Sequence, residues 1–162
     1  ADSLLIRRVF PLEMLLKKND GTNKFCICDP FVRNGFLQET IPLDPAVLKD
    51  LPQAVSTSAG HLIESVVGYF LKSIPGLEVA WWPERDDEPE VDYVMAVGSQ
   101  RIPIEIKYRR GNPIPKDWKG IDAFCEEAHY AAPFGIIITQ SFEGWLSEHV
   151  LAIPASTFLL VR

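Results

Sequence analysis

Two neighbouring stretches, Pro89-Glu90-Val91-Asp92-Tyr93-Val94 and Ile102-Pro103-Ile104-Glu105-Ile106-Lys107-Tyr108, place carboxylates and an ammonium at alternate positions of apolar runs. Strand side chains alternate between faces, so in a hairpin Asp92, Glu105 and Lys107 project the same way. With Ser99-Gln100 as a two-residue turn, Asp92 is expected opposite Lys107 and Val94 opposite Glu105. Directly opposed residues lie about 5 Å apart and diagonal ones about 7 Å, close enough for all three to share one ion or phosphate. The other face, with Val91, Tyr93, Met95, Val97, Ile102, Ile104, Ile106 and Tyr108, is apolar and expected to be buried. Two carboxylates beside a lysine suit a hard divalent cation and phosphate chemistry. Antiparallel sheets also show charged faces to water, and exposed cross-strand ion pairs contribute under about 1 kcal/mol, so the solvated face stands as the alternative.

A third carboxylate comes from the clearest helix of the chain. Residues 58–73 carry Leu62, Ile63, Val66, Val67, Phe70 and Leu71 on one stripe, with Ser58 as the expected N-cap and Pro75-Gly76 as the stop. Glu64 sits in this helix with Gly60 and Gly68 at i±4. Glycine weakens a helix by about 1 kcal/mol relative to alanine, so the pair points to close approach of another element. An exposed helical glutamate is the plainer reading of Glu64 alone.

Around these residues the pattern is helix, strand (77–82), hairpin (91–108), helix capped by Asp117 and running to about His129, and an apolar strand (135–139). A helix-like stretch near Trp145, a strand near 150–153 and residues 154–160 follow. Before them, residues 4–18 read as a strand or short apolar element and residues 17–24 as a polar turn. Lys24 to Cys28 reads as a strand stopped by Asp29-Pro30, residues 31–38 as a short helix, and Ile41 to Pro45 as a linker. The expectation is an α/β fold with a mixed sheet, divided into an N-terminal extension (1–45) and a principal domain (46–162).

The chain has 162 residues, 47% of them hydrophobic and 23% charged, as in globular proteins with a sizeable core. No apolar run reaches the roughly 20 residues needed to span a bilayer. Without a leader-like start, and with three cysteines lacking a zinc-like spacing, the chain is expected to be cytoplasmic and reduced. It does not open on methionine, so it reads as a piece of a longer protein. The net charge of -6 is unusual for a free nucleic-acid binder. Its distribution is uneven: Glu84, Asp86, Asp87, Glu88, Glu90 and Asp92 form an acidic run, and Arg101, Lys107, Arg109, Arg110, Lys116 and Lys119 a basic one. Such neighbouring lobes suit a cation beside a phosphate backbone. His61, His129 and His149 are scattered, and no phosphate-cradling Gly-Lys-Ser/Thr loop is present.

Glu64 on a helix, then Asp92, then Glu105-Ile106-Lys107 resemble the PD-(D/E)XK nuclease superfamily. More narrowly, the chain looks like the nuclease-like domain at the C-terminus of certain bacterial and archaeal AAA-type ATPases. Lys24 to Pro30, Gly60-His61-Leu62-Ile63-Glu64, Glu90 to Val94, Ile104 to Lys107, and Ile153-Pro154-Ala155 with Phe158-Leu159 carry this likeness. The proline of the superfamily motif is Val91 here. The resemblance implies a restriction-endonuclease-like core of helix, three-stranded antiparallel meander, helix and strand. It implies Mg²⁺ or Mn²⁺ held by Asp92, Glu105 and Glu64, with Lys107 orienting water or offsetting charge. Arg109, Arg110, Lys116 and Lys119 would then contact a DNA backbone, and an upstream ATPase part of the same protein would be a partner. The same fold kept as a catalytically idle interaction or regulatory module is the competing expectation.

Overall fold

The structure, a computed structural model, describes residues 5–12, 23–83 and 89–161. The acidic residues 84–88 and the polar turn at 17–22 lie outside the described residues. The architecture is mixed α/β. One eight-stranded sheet has the order β2-β1-β3-β4-β5-β6-β8-β7, with β1 Ile6–Pro11, β2 Lys24–Ile27, β3 Val79–Trp82, β4 Val91–Val97, β5 Gln100–Lys107, β6 Gly135–Thr139, β7 Gly144–Trp145 and β8 Val150–Pro154. The helices are α1 Pro30–Leu37, α2 Pro45–Leu48, α3 Gln53–Ser73, α4 Lys119–Glu126 and α5 Ala155–Phe158. The expected order of helix, antiparallel meander (β3-β4-β5), helix and parallel strand (β6) is therefore present from α3 onward.

Residues 1–45, expected as an extension, contribute β1 and β2 to this same sheet. β1 pairs antiparallel with β2 and runs parallel to β3 through Phe10↔Ala80 and Pro11↔Trp81. Asp29 caps α1 by accepting from the Phe31 N–H, with Pro30 in the first turn, where its missing donor costs nothing. No residue of α1 is buried, and Phe31 and Phe36 face solvent.

Helices cover both faces of the sheet's centre, which is why β4 and β5 read as nearly continuous apolar runs. On one side, α3 packs Ala59, Ile63, Val67 and Leu71 against Tyr93, Ile102, Ile104, Ile106, Ile136 and Ile138. On the other, Phe124 of α4 meets Ala80, Trp82, Val91 and Val94, and Ile121 meets Ile137 and Val150. The Trp82 and Phe124 rings sit edge to face at 5.3 Å.

Four sequence expectations are corrected. α3 begins at Gln53, five residues before Ser58; Pro52 precedes it with no side-chain cap, so the usual capping signal is missing. Asp117 does not start a long helix. It lies in a 3-10 turn, Pro115–Trp118, that feeds α4, which ends at Glu126. The segment at Trp145 is the short strand β7 rather than helix. The hairpin turns at Gly98-Ser99, so that Val97 pairs with Gln100 and Tyr93 with Ile104. Gly98 has φ +60, the left-handed conformation a two-residue hairpin loop requires at its first position.

Candidate functional site

The turn correction moves the partner of Asp92 from Lys107 to Glu105, a slip of two residues. An even slip preserves which face a side chain occupies, so Asp92, Glu105 and Lys107 stay together. A second irregularity shapes the site. Between Ala80↔Val94 and Trp82↔Val91, β3 spends one residue where β4 spends two, Asp92 and Tyr93. Such a bulge bends the strand and re-aims side chains. It also turns Val91 into the cluster around Phe124, away from Tyr93 and Ile104, with which alternation had grouped it.

At Asp92 side chains take over the hydrogen bonding between β4 and β5. Asp92 Oδ2 accepts the Ile106 N–H at 2.8 Å, and Glu105 Oε2 accepts the Asp92 N–H at 3.4 Å. Both carboxylates are buried, with 8% and 9% of their surface exposed. Lys107 Nζ lies 2.5 Å from Glu105 Oε1. Burial, then the charge of Asp92, pushes the Glu105 carboxyl up to about 8 against the opposing pull of Lys107. Burial works against the Lys107 charge, but Glu105 outweighs it and holds the amine above its ordinary range.

Glu64 reaches the same place from α3. Together with Thr57, Gly60 and His61 it lines a cleft of about 360 Å³ whose other wall is Glu90, Asp92, Glu105, Ile106 and Lys107. Glu64, Glu90 and Asp92 each offer an oxygen within 4.8 Å of the others. His61 Nδ1 stands 3.8 Å from Glu64 Oε2. Gly68 sets the depth of α3 on the sheet, since a Cβ there would collide with the Tyr93 hydroxyl and Cys26 Sγ. Gly60, by contrast, meets only the Tyr108 carbonyl at 3.9 Å. The close approach expected from the glycine pair is therefore made by Gly68 alone, and to the core face of the sheet. There the Tyr93 hydroxyl donates to the Glu64 carbonyl at 2.9 Å, tying helix to strand one residue from Asp92.

Sequence reasoning missed Lys24. Its Nζ, carried by β2, lies 2.9 Å from Glu64 Oε1, 2.7 Å from Glu90 Oε1 and 3.0 Å from Asp92 Oδ1. The rings of Trp81 and Tyr93 flank it, with centroids at 5.3 and 5.5 Å. Burial opposes the charge on Lys24, but Asp92 and Glu64 outweigh it and raise the amine above its usual range. Glu64 is raised by burial and by Asp92, with Lys24 pulling it down. Sequence presents Lys24 only as the start of a strand and of the Lys24–Pro30 motif, and nothing local marks its amine as part of the site. Glu90 was also missed as a site residue, although it shares the parity of Asp92.

The basic residues divide. Arg109 Nη2 is held by both oxygens of buried Asp117 at 2.6 Å, and Asp117 also accepts the Ile114 N–H. Arg110, Lys116 and Lys119 are exposed. Arg109 and Arg110 line a second cleft, of about 260 Å³, with Gln53 and Ser56 at the start of α3. Thr57, the next residue, belongs to the carboxylate cleft, so the two adjoin along the helix.

The donors around Glu64 and Asp92 are carboxylate oxygens without sulfur, a set that fits Mg²⁺ or Mn²⁺ in chemistry. The fit has one condition: Lys24 already contacts Glu64, Glu90 and Asp92. Among the described residues no helix is long and apolar enough to cross a membrane. Neither a curated protein nor a solved structure matches the chain. Residues 59–158, well over half the chain and including Glu64, Glu90, Asp92, Glu105 and Lys107, match the family model described as domain of unknown function DUF4143, and the chain belongs to that family.

Proposed function

We propose that this domain is a metal-dependent phosphodiesterase of the PD-(D/E)XK type acting on DNA, built on a restriction-endonuclease-like core. The observation that carries the reading is the buried pair Asp92 and Glu105, held together where β4 and β5 lose their backbone bonding, with Lys107 against Glu105. Two adjacent buried carboxylates repel each other, and a divalent cation would relieve that repulsion further than the lysines against them. Asp92, Glu105 and Glu64 would hold Mg²⁺ or Mn²⁺, which when bound supplies an acidified water and stabilises charge on phosphate. Lys107 donates toward the nucleophile or the developing negative charge. Arg110, beside the second cleft, contacts the backbone without reading sequence, as do Lys116 and Lys119 from the segment that follows. Arg109 is committed to Asp117 and contributes by positioning that loop.

The family is often found in C-terminal regions of AAA-type ATPases, which supports an upstream ATPase part as partner. A second reading, an idle domain that docks or regulates that ATPase, is favoured by one observation: Lys24 already stands against Glu64, Glu90 and Asp92 as their counter-charge. Manganese titration separates the two. On the first reading, millimolar Mn²⁺ raises the melting temperature by mass action. Glu105→Ala removes that shift, and Lys107→Ala keeps metal binding but abolishes cleavage of plasmid and single-stranded DNA. Unchanged melting in millimolar Mn²⁺ and no cleavage would leave the docking reading.

A further inference from the structure

We infer that Lys24 is a tethered cation that occupies the metal position, so that divalent-ion binding and the seating of the Lys24 ammonium exclude one another. The inference rests on the metal reading above and concerns how that site is regulated. Three observations combine. The Lys24 ammonium touches one oxygen each of Glu64, Glu90 and Asp92 at 2.7–3.0 Å. It is walled by two aromatic rings, Trp81 and Tyr93, so it sits in a built cation pocket rather than on an open surface. The hairpin that delivers it is the edge of the sheet. β1 touches the rest of the sheet through Phe10↔Ala80 and Pro11↔Trp81, and β2 is fixed to α3 by the Ile27 N–H donating to Ser65 Oγ at 2.7 Å.

Geometry makes the exclusion follow. A divalent ion taking Glu64 Oε1 and Asp92 Oδ1 meets the ammonium on those same oxygens, where the two cations repel strongly. A metal entering the Glu64–Asp92 position must therefore move Lys24 out, and the ammonium leaves only if β2 shifts or its side chain turns to solvent. Lys24 also lies outside the segment matched to the family, residues 59–158. The acidic pocket and its plug thus belong to separate parts of the chain.

The test compares Mn²⁺ binding to the full chain carrying Lys24, Lys24→Met, Lys24→Gln or Lys24→Arg, by calorimetry and by the paramagnetic resonance of free Mn²⁺. Each variant is first checked for cooperative melting. Met keeps the length of the stem and its packing on Trp81 without charge; Gln serves if Met fails to fold. Lys24→Met or Lys24→Gln is expected to bind Mn²⁺ at least tenfold more tightly than wild type, and Lys24→Arg as weakly as wild type. Binding by the neutral variants with none by wild type supports the plug and overturns the reading of the wild-type chain as an active nuclease. Equal affinity in wild type and neutral variants overturns it while leaving the metal reading intact. Absence of binding in every folded variant overturns both.

Discussion

Replacing Glu105 by glutamine should reveal how much the buried pair costs the fold. The Glu105 carboxyl is pushed from about 4.5 to about 8, first by burial and then by Asp92. A group whose proton affinity is higher in the folded state contributes stability that is complete below its unfolded value and is lost as pH rises to its folded value. The loss therefore falls between about 4.5 and about 8. At about 1.4 kcal/mol per tenfold change in proton affinity, it is on the order of 5 kcal/mol. Total stabilities of domains are only about 5–15 kcal/mol, so the effect is measurable. Glutamine keeps the shape of the protonated acid and cannot ionise. Urea denaturation of wild type and Glu105→Gln at half-unit steps from pH 4.5 to 9 should give a difference that grows with pH in favour of the variant and levels off near pH 8. Subtracting the two curves removes Glu64, whose raised carboxyl has the same sign. A flat difference, or one that favours wild type as pH rises, would refute the claim that Glu105 is destabilised by burial next to Asp92.

Gly68→Ala should lower stability by about 1–3 kcal/mol through overpacking against Tyr93 and Cys26, read as a lower urea midpoint; a neutral effect would mean that α3 lifts off the sheet freely. Asp117→Ala should cost about 1–2 kcal/mol, because it removes the bonds to half-exposed Arg109 and to the Ile114 N–H together, whereas Asp117→Asn, still able to accept from Ile114, should cost about half as much. Equal losses in the two variants, measured by thermal unfolding, would show that the Ile114 bond contributes nothing.

Alternation was the most durable part of the sequence. The turn was displaced, yet Asp92, Glu105 and Lys107 still converge, because only an odd slip changes faces. The displacement had a signal that was passed over: Gly98-Ser99 puts a glycine at the first loop position, where φ is +60, and Ser99-Gln100 does not. The bulge at Asp92 and Tyr93 was hidden: it is defined by pairing with β3, not by the residues of β4. The same holds for Arg109, whose basic character is plain but whose capture by Asp117 depends on a turn conformation. Glu64 was legible through its helix. Lys24 was not, because an edge strand delivers it from a distant part of the chain.

Lys24 is separated from Glu64 by 40 residues and from Asp92 by 68, whereas Asp92 and Glu105 are 13 apart within one hairpin. Short loops close in well under a microsecond to microseconds, and non-local contacts wait for the chain entropy to be spent. The hairpin can thus bring its two carboxylates together early, with Lys107 supplied on the same strand as their first counter-charge. Lys24 joins only when the chain's beginning returns to the sheet edge. Its contacts are then made on the native side of the folding barrier, where an interaction slows unfolding more than it hastens folding. The cation at the centre of the cleft acts as a latch on the finished molecule rather than as part of its nucleus.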